Sequence, residues 1–178
     1  YLAQLQAAKL NDDVEVAHYA ATAVAQISKE SDLKLQQLER AFKTDPSAQN
    51  LNKYCDFLGE YLGSGLAEGR VAQIQRQQYA RLLARRCERE DTLELRIRYA
   101  SALADVGQID EAQAVTDQLV LDVPDEQEVW MLCLRLAVMR RDGEEVHRVI
   151  DAIDKQHVYL SADNREQLAF WRDGEEAR

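Results

Sequence analysis

Residues that interrupt helices are scarce in this sequence. Only two prolines and seven glycines occur in 178 residues, whereas Ala, Leu, Gln, Glu and Arg, which all favour helices, are abundant. No run alternates between apolar and polar residues in the way that a half-buried strand requires. Hydrophobic residues make up 46% of the chain, enough for a real core. The composition therefore predicts an all-α fold.

Long apolar runs are also missing. No stretch approaches the ~18 consecutive apolar residues that cross a bilayer, and no signal peptide is visible. The first residue is Tyr1 rather than Met, which indicates a piece excised from a longer protein. We expect any membrane anchor to lie outside this sequence, so that membrane contact would come only through segments beyond this chain.

Cysteine is too rare and too widely spaced to form a framework. The three cysteines, Cys55, Cys87 and Cys133, include no CxxC pair. Neither a disulfide scaffold nor a zinc knuckle is therefore predicted. We expect these cysteines to be core thiols in a reducing compartment.

Motifs for catalysis and for cofactor binding are missing as well. No two histidines lie three or four residues apart, and no HExxH is present. The segment LGSGL lacks the spacing of a GxSxG nucleophile elbow, and no phosphate-binding loop occurs. Paired carboxylates, such as Asp12 with Asp13, are explained as charges at helix starts. We expect no catalytic residue, no metal site and no cofactor, and we interpret the chain as a non-enzyme.

The chain has no excess of positive charge. Its formal net charge is −10, which argues against nucleic-acid binding, because phosphates require clustered Lys and Arg. Arginines are nevertheless frequent over residues 70–98. Over residues 99–134 there is no Lys or Arg, and all the charged side chains are acidic. These charges either solvate helix faces or form a docking surface. In the second case Arg76, Arg81, Arg85 and Arg86 are candidates to face acids of a partner or of another copy.

A helical hairpin is clearest in the second half of the chain. Apolar residues recur at helical spacing on both sides of Gly107, which favours a left-handed turn, and the second run stops at Pro124. Helix-capping signals, an Asp followed three residues later by Glu, begin at Asp91 and at Asp125. The second signal follows the first after about 34 residues, so the pattern predicts a repeated unit of that length.

This unit resembles the tetratricopeptide repeat (TPR) family, whose repeat is a 34-residue helical hairpin. Ala100 and Ala112 fall where the two helices of such a repeat touch, Gly107 falls in the turn, and Pro124 ends the second helix. The resemblance implies one domain over residues 12–178, a TPR-like solenoid of about four hairpins that follows the end of an upstream helix or a linker at residues 1–11. The implied elements are hairpins at about 12–46, 47–90, 91–124 and 125–158, and a capping helix at 161–172.

The first half of the chain resembles a narrower family. The order DVEVAHYAATAVAQI, LKLQQLERAF, a proline, LGEYLGSGL and RQQYARLL is similar to the cytoplasmic TPR region of the PelE family, which belongs to bacterial Pel exopolysaccharide synthesis and export. The similarity covers most of residues 12–90. It implies a non-catalytic scaffold on the cytoplasmic face of the bacterial inner membrane. The implied partners are other Pel components: the cyclic-di-GMP receptor, the glycosyltransferase and the membrane exporter.

Other functions stay open beside this one. The chain could be a general TPR adaptor, a co-chaperone-like peptide-binding module, or a structural array that self-associates as a homo-oligomer. A clamp for a C-terminal carboxylate would need convergent Lys, Arg and Asn side chains, whereas Lys53 and Arg135 are isolated in the sequence. A broad surface for proteins therefore fits the sequence better than a short-peptide clamp.

Candidate partner-binding residues follow from TPR geometry, in which the first helices of successive hairpins line one concave surface. The apolar candidates could equally belong to the core. The residues predicted to face the groove are Tyr19, Lys53, Phe57, Ile97, Ser101, Met131 and Arg135.

The helix predicted to begin near Asp12 has two faces of small or apolar residues. About half a turn apart, they hold Val16, Tyr19, Ala20, Ala23, Val24 and Ile27 on one side and His18, Ala21, Thr22 and Ala25 on the other. We predict that neighbouring helices cover both faces. In that case His18 is a packing residue, and Tyr19 reaches a partner.

Overall fold

The computed structural model describes residues 1–173, and α-helices account for its regular structure. No strand occurs within these residues, which confirms the all-α prediction. The helices are α1 (Leu2–Ala8), α2 (Val14–Thr44), α3 (Ala48–Gly63), α4 (Gly69–Cys87), α5 (Leu93–Asp105), α6 (Ile109–Asp122), α7 (Gln127–Arg140), α8 (Gly143–Lys155) and α9 (Ala162–Asp173).

The chain divides into two compact units, Tyr1–Leu82 and Leu83–Arg178. The division falls inside α4. The first unit therefore contains α1 to α3 and most of α4, and the second contains the end of α4 and the helices that follow.

In the first unit, α2 is one continuous helix of 31 residues. The hairpin predicted at residues 12–46 is therefore wrong. No glycine or proline lies between the two ends of α2, so the sequence contains no residue that stops a helix there. The start is set by Asp13, whose carboxylate accepts hydrogen bonds from two backbone N–H groups of the first turn.

Both α1 and α3 pack against α2, and α3 supplies most of the buried side chains of this packing. Those residues follow the helical period and are Leu51, Tyr54, Cys55, Leu58 and Tyr61. The rings of Phe42 and Tyr54 lie 6.2 Å apart. The Tyr61 hydroxyl donates a hydrogen bond of 2.7 Å to Asp32 on α2, so polar contact supplements the apolar packing between α2 and α3.

A glycine allows a close approach between α3 and α4. A Cβ atom at Gly59 would lie only 2.7 Å from the Tyr79 hydroxyl oxygen. Glycine therefore leaves the space that the Tyr79 ring occupies against the α3 backbone. The loop between the two helices contains Gly65 with φ of 73°, a left-handed conformation that glycine adopts without strain.

The second unit repeats its backbone at the period that the sequence predicted. α5 begins at Leu93 and α7 at Gln127, and α6 begins at Ile109 and α8 at Gly143. Both starts therefore recur after one repeat of the predicted length. Gly107 and Arg141 are separated by the same interval and share the left-handed conformation, with φ of 78° and 56°.

The two tight turns also share their hydrogen bonds. The N–H of Gln108 donates to the carbonyl of Leu103 at 2.9 Å, and the N–H of Asp142 donates to the carbonyl of Ala137 at 3.1 Å. Such bonds close the C-terminal end of a helix with one left-handed residue. The turn in each hairpin is therefore built in the same way, although the residue that turns is Gly in one and Arg in the other.

Two buried clusters hold the second unit together. The cluster between α5, α6 and α7 includes Ala100, Ala112 and Leu136, each 0% exposed. The cluster between α7, α8 and α9 includes Val149, Ile153 and Leu168. α7 contributes to both clusters, so it is the shared wall of the two hairpins.

The two turns allow a paired test of the repeat. We expect Gly107→Ala to lower the free energy of unfolding by about 1 kcal/mol, because a Cβ is unfavourable in the left-handed conformation. For the same reason Arg141→Gly should raise it by up to about 1 kcal/mol. Both tryptophans, Trp130 and Trp171, lie in the second unit, so urea unfolding followed by tryptophan fluorescence reports on it.

The control for the second substitution is Arg141→Ala, which removes the side chain but keeps the Cβ. We expect it to leave the unfolding midpoint close to that of the unaltered protein. If Arg141→Ala stabilised the unit as much as Arg141→Gly, the backbone account of this turn would be wrong.

The first unit should lose stability in alkali. Burial, followed by the hydrogen bond to Asp32, raises the pKa of Tyr61 to about 12 from an ordinary value of 10.0. The folded state thus favours the neutral phenol, so this stabilisation is complete below pH 10.0 and disappears as the pH rises to about 12. Tyr61→Phe should weaken the decline in urea midpoint over this range, as followed by far-UV circular dichroism. The control is Tyr159→Phe, at an exposed tyrosine, and an equal effect of the two would contradict this assignment.

Candidate functional site

A groove of about 380 Å³ runs across three helices of the second unit. These helices are α5, α7 and α9. α5 and α7 are the first helices of successive hairpins, and α9 follows the second hairpin. The groove is lined by Ile97, Ser101, Glu128, Met131, Leu132, Leu134, Arg135, Val138, Gln167 and Trp171. Most of these side chains are apolar, so the groove suits a ligand with an apolar face.

Three helices form the walls of the groove. Arg135 on α7 connects the α7 wall to the α5 wall. Its Nη1 donates to the Ser101 hydroxyl on α5 at 3.2 Å, and its Nη2 forms an ion pair with Asp105 on α5. Ser101 and Arg135 are separated by 34 residues and so occupy equivalent positions of the two hairpins. The side chains of the ion pair are 41% and 42% exposed. Solvent screening therefore limits the contribution of this pair to the free energy of unfolding to about 0–1 kcal/mol. The contact orients the groove more than it stabilises the fold.

The wall formed by α9 is held in place by hydrogen bonds to the first residue of α7. The Gln127 side-chain oxygen accepts hydrogen bonds from the Ser161 backbone N–H at 2.8 Å and from the Asn164 amide at 3.0 Å. The Ser161 hydroxyl in turn accepts from the N–H of Asn164 at 3.3 Å and caps α9. α9 is thus tied at its first turn to α7, and this places Trp171 at the end of the groove.

The floor of the groove is a layer of the core. Leu132 and Leu134 are 5% and 3% exposed, while Ile97, Met131 and Val138 are half-buried above them. Half-buried apolar side chains on a rigid floor lose little conformational freedom when a ligand covers them. The groove is therefore preorganised for binding.

Four of the predicted partner-facing residues come together here. Ile97, Ser101, Met131 and Arg135 all line the groove. Val138 and Trp171 also line the groove, and neither is among the predicted partner-facing residues. Val138 follows Met131 on α7 by two helical turns, which places both side chains on one face, and the helical period offered this signal. Trp171 gave no such signal, because the Ser161 cap of α9 comes one residue later than the period predicts from the Glu126 cap of α7.

The other candidates lie outside this groove. In the first unit, Tyr19 is 72% exposed, Lys53 is exposed, and Phe57 is half-buried with the Lys34 ammonium 4.5 Å from its ring centre. Arg76, Arg81 and Arg85 are exposed along α4. The prediction that Arg86 faces a partner is wrong, because this residue is only 8% exposed and therefore buried.

The predicted double covering of α2 is wrong. His18, Ala21, Thr22 and Ala25 are exposed, whereas Ala20 is buried. The cause is the long continuous helix: because α2 contains no turn, no second half of a hairpin folds back over this face. His18 is therefore a surface residue and not a packing residue.

The thiols are poorly suited to nucleophilic chemistry. Burial raises the pKa of Cys133 to about 12 and also raises the pKa of Cys87. Cys55 is 0% exposed. A raised pKa keeps the thiol protonated, whereas the thiolate is the nucleophile.

Two further properties concern the whole described range. Over residues 1–173, no three His, Cys, Asp or Glu side chains are grouped so that they could hold a metal ion. In the same range, no helix combines the length and the apolar character needed to span a membrane.

Comparison with known proteins gives the groove no assignment. No protein-family model, no curated protein and no solved structure matches this chain.

Proposed function

We propose that this chain is a TPR-like, non-catalytic scaffold that holds a partner protein in the α5–α7–α9 groove. The observation that carries the proposal is the groove itself, which lies on successive first helices of a repeating backbone. A binding surface at this place is what stacked helical hairpins provide. Its rigid floor and apolar lining favour a protein segment over a small polar ligand.

We further propose that the scaffold belongs to bacterial Pel exopolysaccharide synthesis and export, on the cytoplasmic face of the inner membrane. The similarity of residues 12–90 to the PelE family supports this part. The partners would then be the cyclic-di-GMP receptor, the glycosyltransferase or the membrane exporter. The mechanism is recruitment, because a rigid surface that binds a partner raises its local concentration beside the other components.

A co-chaperone-like carboxylate clamp fits the groove less well. Such a clamp needs free cationic groups, but Arg135 is paired with Asp105 and bonded to Ser101. Glu128 also lines the groove and would repel a carboxylate. We therefore favour a segment that docks mainly through apolar side chains.

The test is capture of purified Pel components by the tagged chain, followed by measurement of the affinity of the captured one. We expect Met131→Glu to weaken binding by at least about tenfold, because it places an uncompensated charge in an apolar contact. Arg135→Glu should also weaken it, and the exposed position of Arg135 makes misfolding a minor concern. Far-UV circular dichroism and tryptophan fluorescence check that both variants stay folded.

The matched control is Tyr159→Glu, which adds the same charge at an exposed aromatic residue outside the groove. It should bind like the unaltered chain. Capture of none of the Pel components would overturn the Pel assignment. Equal affinities of the Met131→Glu variant and the unaltered chain would instead overturn the proposal that the groove binds the partner.

A further inference from the structure

The outer side of α4 combines positive charge with exposed aliphatic residues. Arg70, Ile74, Arg81 and Arg85, which we call the basic stripe, fall within about 60° of one another around the helix. All four are exposed, and Ile74 is 58% exposed, with Val71 beside it at 59%. Arginine is enriched at protein interfaces, whose centres are apolar, so this combination suits a docking surface.

The outer side of α6 has the opposite charge. Asp110, Ala114, Asp117 and Leu121, which we call the acidic stripe, also fall within about 60° of one another. All four are exposed, and Leu121 is 75% exposed. Each stripe therefore holds one exposed branched aliphatic residue together with charges of a single sign.

Spacing along the two helices favours an antiparallel arrangement. If Ile74 faces Leu121, Arg85 and Asp110 are equally far from this pair, about 16 Å along their helices, and so face each other. Arg81 then lies between Asp110 and Asp117. In the parallel arrangement, Arg81 and Arg85 would instead face positions 128 and 132, and Leu132 is buried.

Arg81 and Asp117 can both form a new contact. Arg81 forms no ion pair with any residue in the described part of the chain. Asp117 accepts a hydrogen bond of 2.7 Å from Gln113, one turn earlier on the same helix, and keeps further lone pairs. Asp110 already pairs with Arg140 at 2.8 Å, so we place the main interaction between Arg81 and Asp117.

We propose that copies of this chain associate by packing the basic stripe of one copy against the acidic stripe of another. The occupant is a second copy because one chain carries both complementary surfaces, each with an aliphatic residue for the centre of the contact. Two helix faces of this length bury a small area, so the association is weak and depends on concentration. It is independent of the proposed groove, which uses α5, α7 and α9.

The experiment is sedimentation equilibrium of the purified chain over a range of concentrations, at low and at high salt. We expect the average mass to rise with concentration and the association to weaken with salt, because exposed charges are screened. Arg81→Glu should weaken association by at least about tenfold, since like charges then face each other. Asp117→Arg should do the same, and the double variant Arg81→Glu/Asp117→Arg should restore association.

Matched controls carry the same charge changes elsewhere. Arg76→Glu lies on the other side of α4, and Asp151→Arg lies at an exposed position of α8. Both should associate like the unaltered chain. A monomer at every concentration, an effect of the controls equal to that of the stripe variants, or a failure of the double variant to recover would each overturn the proposal.

Discussion

Close packing between α5 and α6 is the constraint on which the second unit depends. Ala100 and Ala112 are both 0% exposed within the same buried cluster, and small side chains at these positions let the two helices approach. The left-handed turn at Gly107 then returns the chain in few enough residues to keep the helices paired. The same turn at Arg141 pairs α7 with α8, so one backbone geometry is used twice.

The consequence of this repetition is a division of surfaces. Because α5, α7 and α9 begin at nearly regular intervals, they bring one set of side chains to a common groove. Arg135 and Gln127 fix the spacing of its walls. The exposed faces of α4 and α6 lie outside this groove. The proposed partner and the proposed second copy would therefore use different surfaces.

The sequence predicted the second unit well because its signals are local. Gly107 and Pro124 mark the turn and the end of this hairpin, and four groove residues followed from its period. The predicted caps Asp91 and Asp125 were wrong by one residue, since Thr92 and Glu126 cap α5 and α7. The next hairpin was harder to recognise because two core residues exchange sizes: Ala100 and Leu103 of α5 correspond to Leu134 and Ala137 of α7. The summed volume is kept while the pattern changes. The continuous helix α2 was predicted as a hairpin because apolar spacing alone cannot distinguish the two. No glycine or proline in this segment marks either a turn or its absence.

The most direct test of the account is amide hydrogen exchange of the chain with and without a captured partner. The central claim is that α5, α7 and α9 present one continuous binding surface. The account predicts that binding slows exchange in these three helices together and leaves the outer helices α6 and α8 unchanged. Slower exchange confined to α6 and α8, or to the first unit, would contradict it.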